Sequence, residues 1–212
     1  VPFALSVDLR LKLYMSTSTL SLVGCGILQK EVGYLIAKNN WPLATDFLPA
    51  SLHIDFKGLA GALHTGLARH ADEQTIVFYG ACHPGMDTML NEARTLRTAG
   101  QNCIEMLLGA EEFNRELTQG AYFLLDDWAR NWDAVIAKTF GSNIDVIRDI
   151  FHDQHRYLLC LRTPQSGDFS QKALHISAML DLPLQWRDVS LDHLENVLQA
   201  AISRKLDSLH AQ

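Results

Sequence analysis

Thr75-Ile76-Val77-Phe78-Tyr79-Gly80-Ala81-Cys82-His83-Pro84-Gly85 opens with five consecutive β-branched or aromatic residues and is halted abruptly by a turn. A short, unalternating run of this kind, bounded by glycine and proline, reads as a strand buried on both faces. Such strands belong to parallel sheets covered by helices. The rest of the chain is best read outward from this one.

Upstream, Leu20 to Val23 is another apolar run that ends at Gly24-Cys25-Gly26 and is followed by Ile27, Leu28, Val32, Leu35 and Ile36 at helical spacing. That is strand, turn, helix. Trp41-Pro42 closes the helix, because proline disfavours helical geometry in the residue before it. Phe47 to His53 reads as a strand, and Asp55 is placed to cap a helix carrying Leu59, Leu63 and Leu67 at fourfold spacing.

Downstream, Met86 to Gly100 fits either a helix through Met89, Leu90, Ala93 and Leu96 or a polar surface loop. Cys103 to Leu108 and Glu111 to Leu117 read as short helices separated by Gly109. Tyr122 to Leu125 leads into a helix with Trp128, Trp132, Val135 and Ile136, and another helix follows Gly141-Ser142. The last third alternates plainly: strand at Tyr157 to Arg162, helix at Asp168 to Leu180, strand at Leu184 to Val189, helix at Leu191 to Leu209.

Parallel neighbours need a crossover, and a helix usually supplies it. The expected fold is therefore α/β, a largely parallel sheet flanked by helices in Rossmann-like layers. Residues 1–18 read as an N-terminal extension and 19–212 as one domain, with a soft boundary near 141–142.

The chain has 212 residues, 48% hydrophobic and 20% charged, the proportions of an ordinary globular protein. A formal charge of -6 with scattered Lys and Arg leaves no basic stripe for a phosphate backbone, so nucleic acid is not an expected partner. No apolar stretch reaches the roughly 20 residues of a membrane helix. The start lacks the ordered regions of a secretory signal, so the expected compartment is a reducing cytoplasm where cysteines stay thiols. A homodimer is the commonest assembly to test for.

Three of the four cysteines sit in turns beside apolar runs: Cys25 between Gly24 and Gly26, Cys82 after Tyr79-Gly80-Ala81, and Cys103 after Asn102. Cys160 lies inside Tyr157-Leu158-Leu159-Cys160-Leu161, where packing accounts for it. In open α/β sheets ligands bind beyond the carboxyl ends of strands, where Cys25 and Cys82 are expected. Thiolates bind zinc and iron-sulfur clusters, with histidine often completing a zinc site.

The expected metal ligands are thus Cys25, Cys82, Cys103 and His53. His83, adjacent to Cys82, suits proton transfer better than ligation, and Glu105 is its acidic counterpart. Gly24, Gly26, Tyr79, Gly80, Tyr122 and Trp128 are expected to line the cofactor or substrate pocket. No C-x-x-C pair is present, which points away from a structural zinc knuckle and toward a site assembled from several strand ends. Gly24-Cys25-Gly26 lacks the third glycine of a dinucleotide fingerprint, Gln29 standing in its place.

These motifs, in this order, resemble the domain of unknown function 1638 family. The resemblance rests on Val23-Gly24-Cys25, Leu52-His53, Tyr79-Gly80-Ala81-Cys82, Asn102-Cys103-Ile104 with Leu107-Leu108-Gly109, and Gly120-Ala121-Tyr122 running to Trp128, over residues 20–200. The family pattern has aspartate where this chain has Asn102. Members are often encoded near corrinoid-dependent methyltransferases and folate-linked enzymes.

The resemblance therefore implies one-carbon metabolism: methyl transfer from a corrinoid or folate donor at a zinc site, with a small-molecule donor or acceptor and a corrinoid protein or methyltransferase as partner. Two other readings stay open. One is a non-enzymatic accessory protein that binds an iron-sulfur cluster or corrinoid for such a partner; the other is a structural or regulatory binding module whose cysteines are only buried thiols.

Overall fold

The computed structural model describes residues 20–71 and 74–210. The expected N-terminal extension lies outside the described residues. Among the described residues every strand pairing is parallel, and the pairings form two sheets. The chain divides into two compact units, one running to Met106 and resuming at Asp192, the other spanning Leu107–Leu191. The soft boundary expected near 141–142 falls inside the second unit.

In the first unit, β1 (Leu20–Cys25) passes through a 3-10 turn (Gly26–Leu28) into α1 (Gln29–Lys38). β2 (Leu43–Leu48) follows, then a second 3-10 turn (Ala50–Ile54) and α2 (Phe56–Arg69). The strand expected at Phe47 to His53 thus begins and ends earlier. β2 is an edge strand on which Ala44 and Thr45 are exposed, so its amino-terminal half offers Leu43 alone as a buried apolar residue. Asp55 caps α2 as expected, accepting a hydrogen bond from the Gly58 N–H at 2.9 Å.

β3 (Gln74–Phe78), α3 (Met86–Glu92), β4 (Leu96–Arg97) and α4 (Cys103–Leu108) complete the sequence-contiguous part of this unit, α4 extending past its boundary. The ambiguous segment is therefore helix and then a two-residue strand. The carboxyl-terminal helix, running Asp192–His210, returns to this unit and contacts β3 and β4.

Sheet order is β2-β1-β3-β4. β1 and β3 are buried almost throughout, which accounts for their uninterrupted apolar sequences. Their core is Val23, Leu48, Leu59, Leu63, Val77, Tyr79, Met86 and Leu90. Burying a Leu or Val side chain of this kind contributes about 1.5–3 kcal/mol, so the strand-helix interface supplies much of the unit's stability. Ser21 and Thr75 form a buried polar pair: their hydroxyls are hydrogen-bonded at 3.0 Å across β1 and β3, and the Thr75 hydroxyl also donates to the His70 carbonyl at 3.4 Å.

The second unit holds α5 (Ala110–Thr118), β5 (Ala121–Leu124), α6 (Asp126–Arg130), α7 (Trp132–Phe140), α8 (Ile144–Gln154), β6 (Tyr157–Arg162), α9 (Ser170–Leu180) and β7 (Leu184–Asp188), with sheet order β5-β6-β7. Tyr122, in the segment read as leading into a helix, lies in β5, and α6 follows directly. Cys160 is fully buried in β6, and burial pushes its thiol up to about 12, as expected of a packing residue. The carboxyl-terminal helix Asp192–His210 is α10 hereafter. No helix among the described residues is long and apolar enough to cross a membrane.

Candidate thiol site

The chain passes from β1 outward to β2 and then back across β1 to β3, so β1 and β3 flank the point where the winding reverses. At such a switch point the two connecting loops diverge and leave a crevice beyond the carboxyl ends. Cys25 is the last residue of β1, and Tyr79-Gly80-Ala81-Cys82 leaves the end of β3. Both cysteines pack against the core cluster that contains Tyr79 and Met86. Gly24 permits this closeness: a Cβ there would come within 2.6 Å of the Phe78 Cβ on the adjacent strand. Gly26 opens the 3-10 turn, tight against the Leu48 carbonyl.

Cys103 reaches the same end of the sheet through a backbone crossing. The Ala81 N–H donates to the Gln101 carbonyl at 2.8 Å, and Gly80 lies directly on the Gln101-Asn102 peptide. Thr98 reinforces the crossing from below: its N–H donates to the Val77 carbonyl at 2.9 Å and its buried hydroxyl to the Tyr79 carbonyl at 3.4 Å. Asn102 then caps α4, its Oδ1 accepting from the Ile104 and Glu105 N–H groups, each at 3.0 Å. Asparagine and aspartate both cap in this way, so the departure from the family pattern leaves the local structure intact.

Burial pushes the Cys103 thiol well above its ordinary range, and the charges that Cys25 and Cys82 would carry push it further. Its own N–H and that of Ile104 oppose the shift. Cys82 is also raised by burial, against the opposing pull of the Gly80 N–H and the charge of Arg97. The Tyr79 hydroxyl is raised as well, first by burial and then by Cys25 and Cys82. It is buried, lies within reach of the Cys25 thiol, and makes no hydrogen bond of good geometry.

Cys25, Cys82 and Cys103 are therefore brought within electrostatic reach of one site, and the described cysteines are thiols with no disulfide among them. Among the described residues, no three His, Cys, Asp or Glu side chains are gathered closely enough to hold a metal ion. His53 sits in the turn after β2, where its Nδ1 is 2.6 Å from the Ala50 carbonyl. A carbonyl only accepts, so Nδ1 carries the hydrogen and Nε2 is the acceptor nitrogen of the neutral ring. Burial lowers the pKa of this histidine and favours that neutral form.

The other expected site residues make contacts of their own. The His83 Nδ1 accepts the Gly85 N–H at 2.9 Å, and its ring meets Phe56 edge-on, so it stabilises its own turn. Glu105 lines a cleft beside β4, with its Oε2 buried and lacking a hydrogen bond. Tyr122 and Trp128 belong to the second unit. There the Trp128 Nε1 donates to the Tyr122 hydroxyl at 2.8 Å, and Tyr122 packs edge-on against Trp132, Phe151 and His155. Arg97, whose charge favours the Cys82 thiolate, was not singled out by the sequence; it stands alone, fifteen positions after Cys82, in no recognisable motif.

A family model described as protein of unknown function DUF1638 matches residues 47–198. The chain belongs to this family. The DUF1638 match takes in His53, Cys82 and Cys103, and Cys25 precedes it. No curated protein matches the sequence. Within the DUF1638 region, the Tyr79-Gly80-Ala81-Cys82 and Asn102-Cys103-Ile104 motifs are the two segments that the Gly80 crossing joins.

Proposed function

We propose that the protein binds a thiophilic metal ion, zinc in the first instance, through Cys25, Cys82 and Cys103, and acts in one-carbon metabolism by transferring a methyl group from a corrinoid or folate donor. The observation that supports the metal reading is that three thiols lie within electrostatic reach of one another at the β1/β3 switch point. Each thiol lost to ionisation makes the next harder to ionise, and burial adds to the cost. The cluster therefore stays neutral until a cation compensates it.

The donor set suits zinc: three sulfurs, with His53 in the tautomer that a fourth ligand requires. The side chains must close from their present separation, as happens where metal binding and local ordering are coupled. Zinc held there supplies the positive charge that keeps a thiolate deprotonated at neutral pH. The chain's own groups favour the same anion: the Gly80 N–H is directed at Cys82, the Cys103 N–H at its own sulfur, and Tyr79 stays protonated and able to donate to Cys25. Methyl transfer itself is supported by the family resemblance and by the suitability of a thiolate as methyl acceptor.

Protein purified without oxygen and titrated with zinc should bind one equivalent with release of protons. Cobalt(II) in its place should give thiolate charge-transfer absorbance that is lost in Cys82→Ser and Cys103→Ser. Absence of binding by either ion overturns the metal reading. Broad iron-sulfur or corrinoid bands in the purified protein would replace it with the accessory-protein reading.

A further inference from the structure

A cleft of about 680 Å³ in the first unit lies beside β4, and none of Cys25, Cys82 and Cys103 lines it. Its size is that of small-molecule sites in general. Two guanidinium groups enter it. Arg97 donates from Nε to Asp87 on the exposed rim at 3.3 Å, and from Nη1 to the Thr98 and Gly100 carbonyls at 3.3 and 3.0 Å. Its Nη2 makes no hydrogen bond among the described residues. Arg204 arrives from α10 and is tethered by one bond, Nη2 to the Arg97 carbonyl, at 2.7 Å.

Both arginines are thus braced by backbone and keep donors to spare, the arrangement that a planar carboxylate pairs with. The same cleft carries Glu105, whose buried Oε2 has no donor. Glu105 therefore brings to the cleft a carboxylate with acceptor capacity that the protein leaves unused, which an amino group can take up. The cleft therefore presents cationic and anionic recognition groups together. It also shares a wall with the thiol site, because Ala81 and Gln101, which line it, form the crossing that positions Cys82 and Cys103.

We propose that this cleft is the substrate pocket of the thiol site: Arg97 and Arg204 bind the carboxylate, and Glu105 the amino group, of a small amino-acid-like molecule. This rests on the methyl-transfer reading only for the word substrate; the recognition is independent of it. A molecule so held lies against Ala81 and Gln101, the two residues of the crossing that positions Cys82 and Cys103.

The test uses probes without a thiol, so that a metal has no part in binding: 2-aminobutyrate, butyrate, butylamine and inorganic phosphate, titrated into the full chain with and without zinc. Amide resonances of residues 98–101 should shift saturably with 2-aminobutyrate, and butyrate and butylamine should each bind about tenfold more weakly, about 1.4 kcal/mol. Arg204→Gln, an exposed position held by one bond, should weaken 2-aminobutyrate and butyrate alike, while Glu105→Gln should weaken 2-aminobutyrate and leave butyrate unchanged. Phosphate binding more tightly than 2-aminobutyrate, no saturable shift, or indifference to both substitutions overturns the proposal. Retained 2-aminobutyrate binding in a protein that binds no metal sinks the metal reading and leaves the pocket standing; the reverse result sinks the pocket alone.

Discussion

Gly80 and Gln101 meet backbone to backbone: a Cβ on Gly80 would stand 2.1 Å from the Gln101 carbonyl oxygen and 2.6 Å from the Asn102 nitrogen. No side-chain rotation relieves that contact, because both sides of it are main chain. The crossing is also what carries Cys103 to the end of β3, where Cys82 emerges. Chain geometry and thiol placement therefore depend on the same missing methyl group.

Gly80→Ala must push the two loops apart. Overpacking of this kind costs typically about 1–3 kcal/mol, and here it should fall at or above the upper end, measured by urea unfolding. Cobalt(II) absorbance should be lost together with stability, whereas Gly33→Ala, at a helical position where a Cβ meets nothing within 4 Å, should be neutral or stabilising. A Gly80→Ala protein as stable as the parent would contradict the crossing.

Asn102 tests a cap. Removing its Oδ1 with Asn102→Ala leaves the Ile104 and Glu105 N–H groups without their acceptor, at a cost of about 1 kcal/mol. Asn102→Asp should retain stability. Thermal unfolding of the two variants side by side checks the cap: equal loss in both variants would contradict it.

The parts of this architecture that could be read from sequence are those whose signal is local. Thr75 to Phe78, Leu20 to Val23 and Tyr157 to Leu161 announce themselves because strands buried on both faces must be apolar at every position. β4 has only Leu96 and Arg97, and becomes a strand through pairing with Ile76 and Val77; nothing within it carries a period. β2 was displaced toward Phe47 because its exposed Ala44 and Thr45 look like loop. At the site, glycine-flanked Cys25 and Cys82 were visible because strand ends and turns are encoded side by side. The cleft was not: Arg97 and Arg204 come from distant elements, and only the packing of α10 on the β4 edge brings them together.

Lys205 is a buried cation on α10, 6% exposed, and burial lowers its pKa below 10.5. Below the folded-state pKa the ammonium is charged in both states and its burial cost is fully present. Between that pKa and 10.5 the unfolded chain holds a proton that the folded chain has released, so stability rises with pH. Lys205→Met should therefore raise the unfolding temperature at pH 7, and its advantage over the parent should shrink toward pH 10.5. A constant difference across that range would mean that the amine finds a partner in the folded protein.

Tyr79→Phe removes a buried hydroxyl that makes no hydrogen bond of good geometry. Deleting an unsatisfied polar group while keeping the ring should leave stability unchanged or raise it by about 1 kcal/mol. Zinc affinity should fall severalfold in the same variant if the hydroxyl donates to Cys25 once that sulfur is ionised. Competition with a chromophoric chelator gives the affinity, and an unchanged value would remove Tyr79 from the site.

Cys82 reports the electrostatics directly, because alkylation consumes only the thiolate. Burial holds its pKa above the ordinary 9.0, so iodoacetamide modification of the metal-free protein should be slow at pH 7 and still rising past pH 9. Arg97 pulls the other way, so Arg97→Gln should raise the pKa further and slow modification at any fixed pH below it. A substitution that merely loosened the loop would expose Cys82 and speed the reaction. Mass spectrometry of the Cys82 peptide as a function of pH distinguishes the two: a shift of the profile to higher pH supports the charge coupling between the cleft and the thiols, and faster labelling at every pH refutes it.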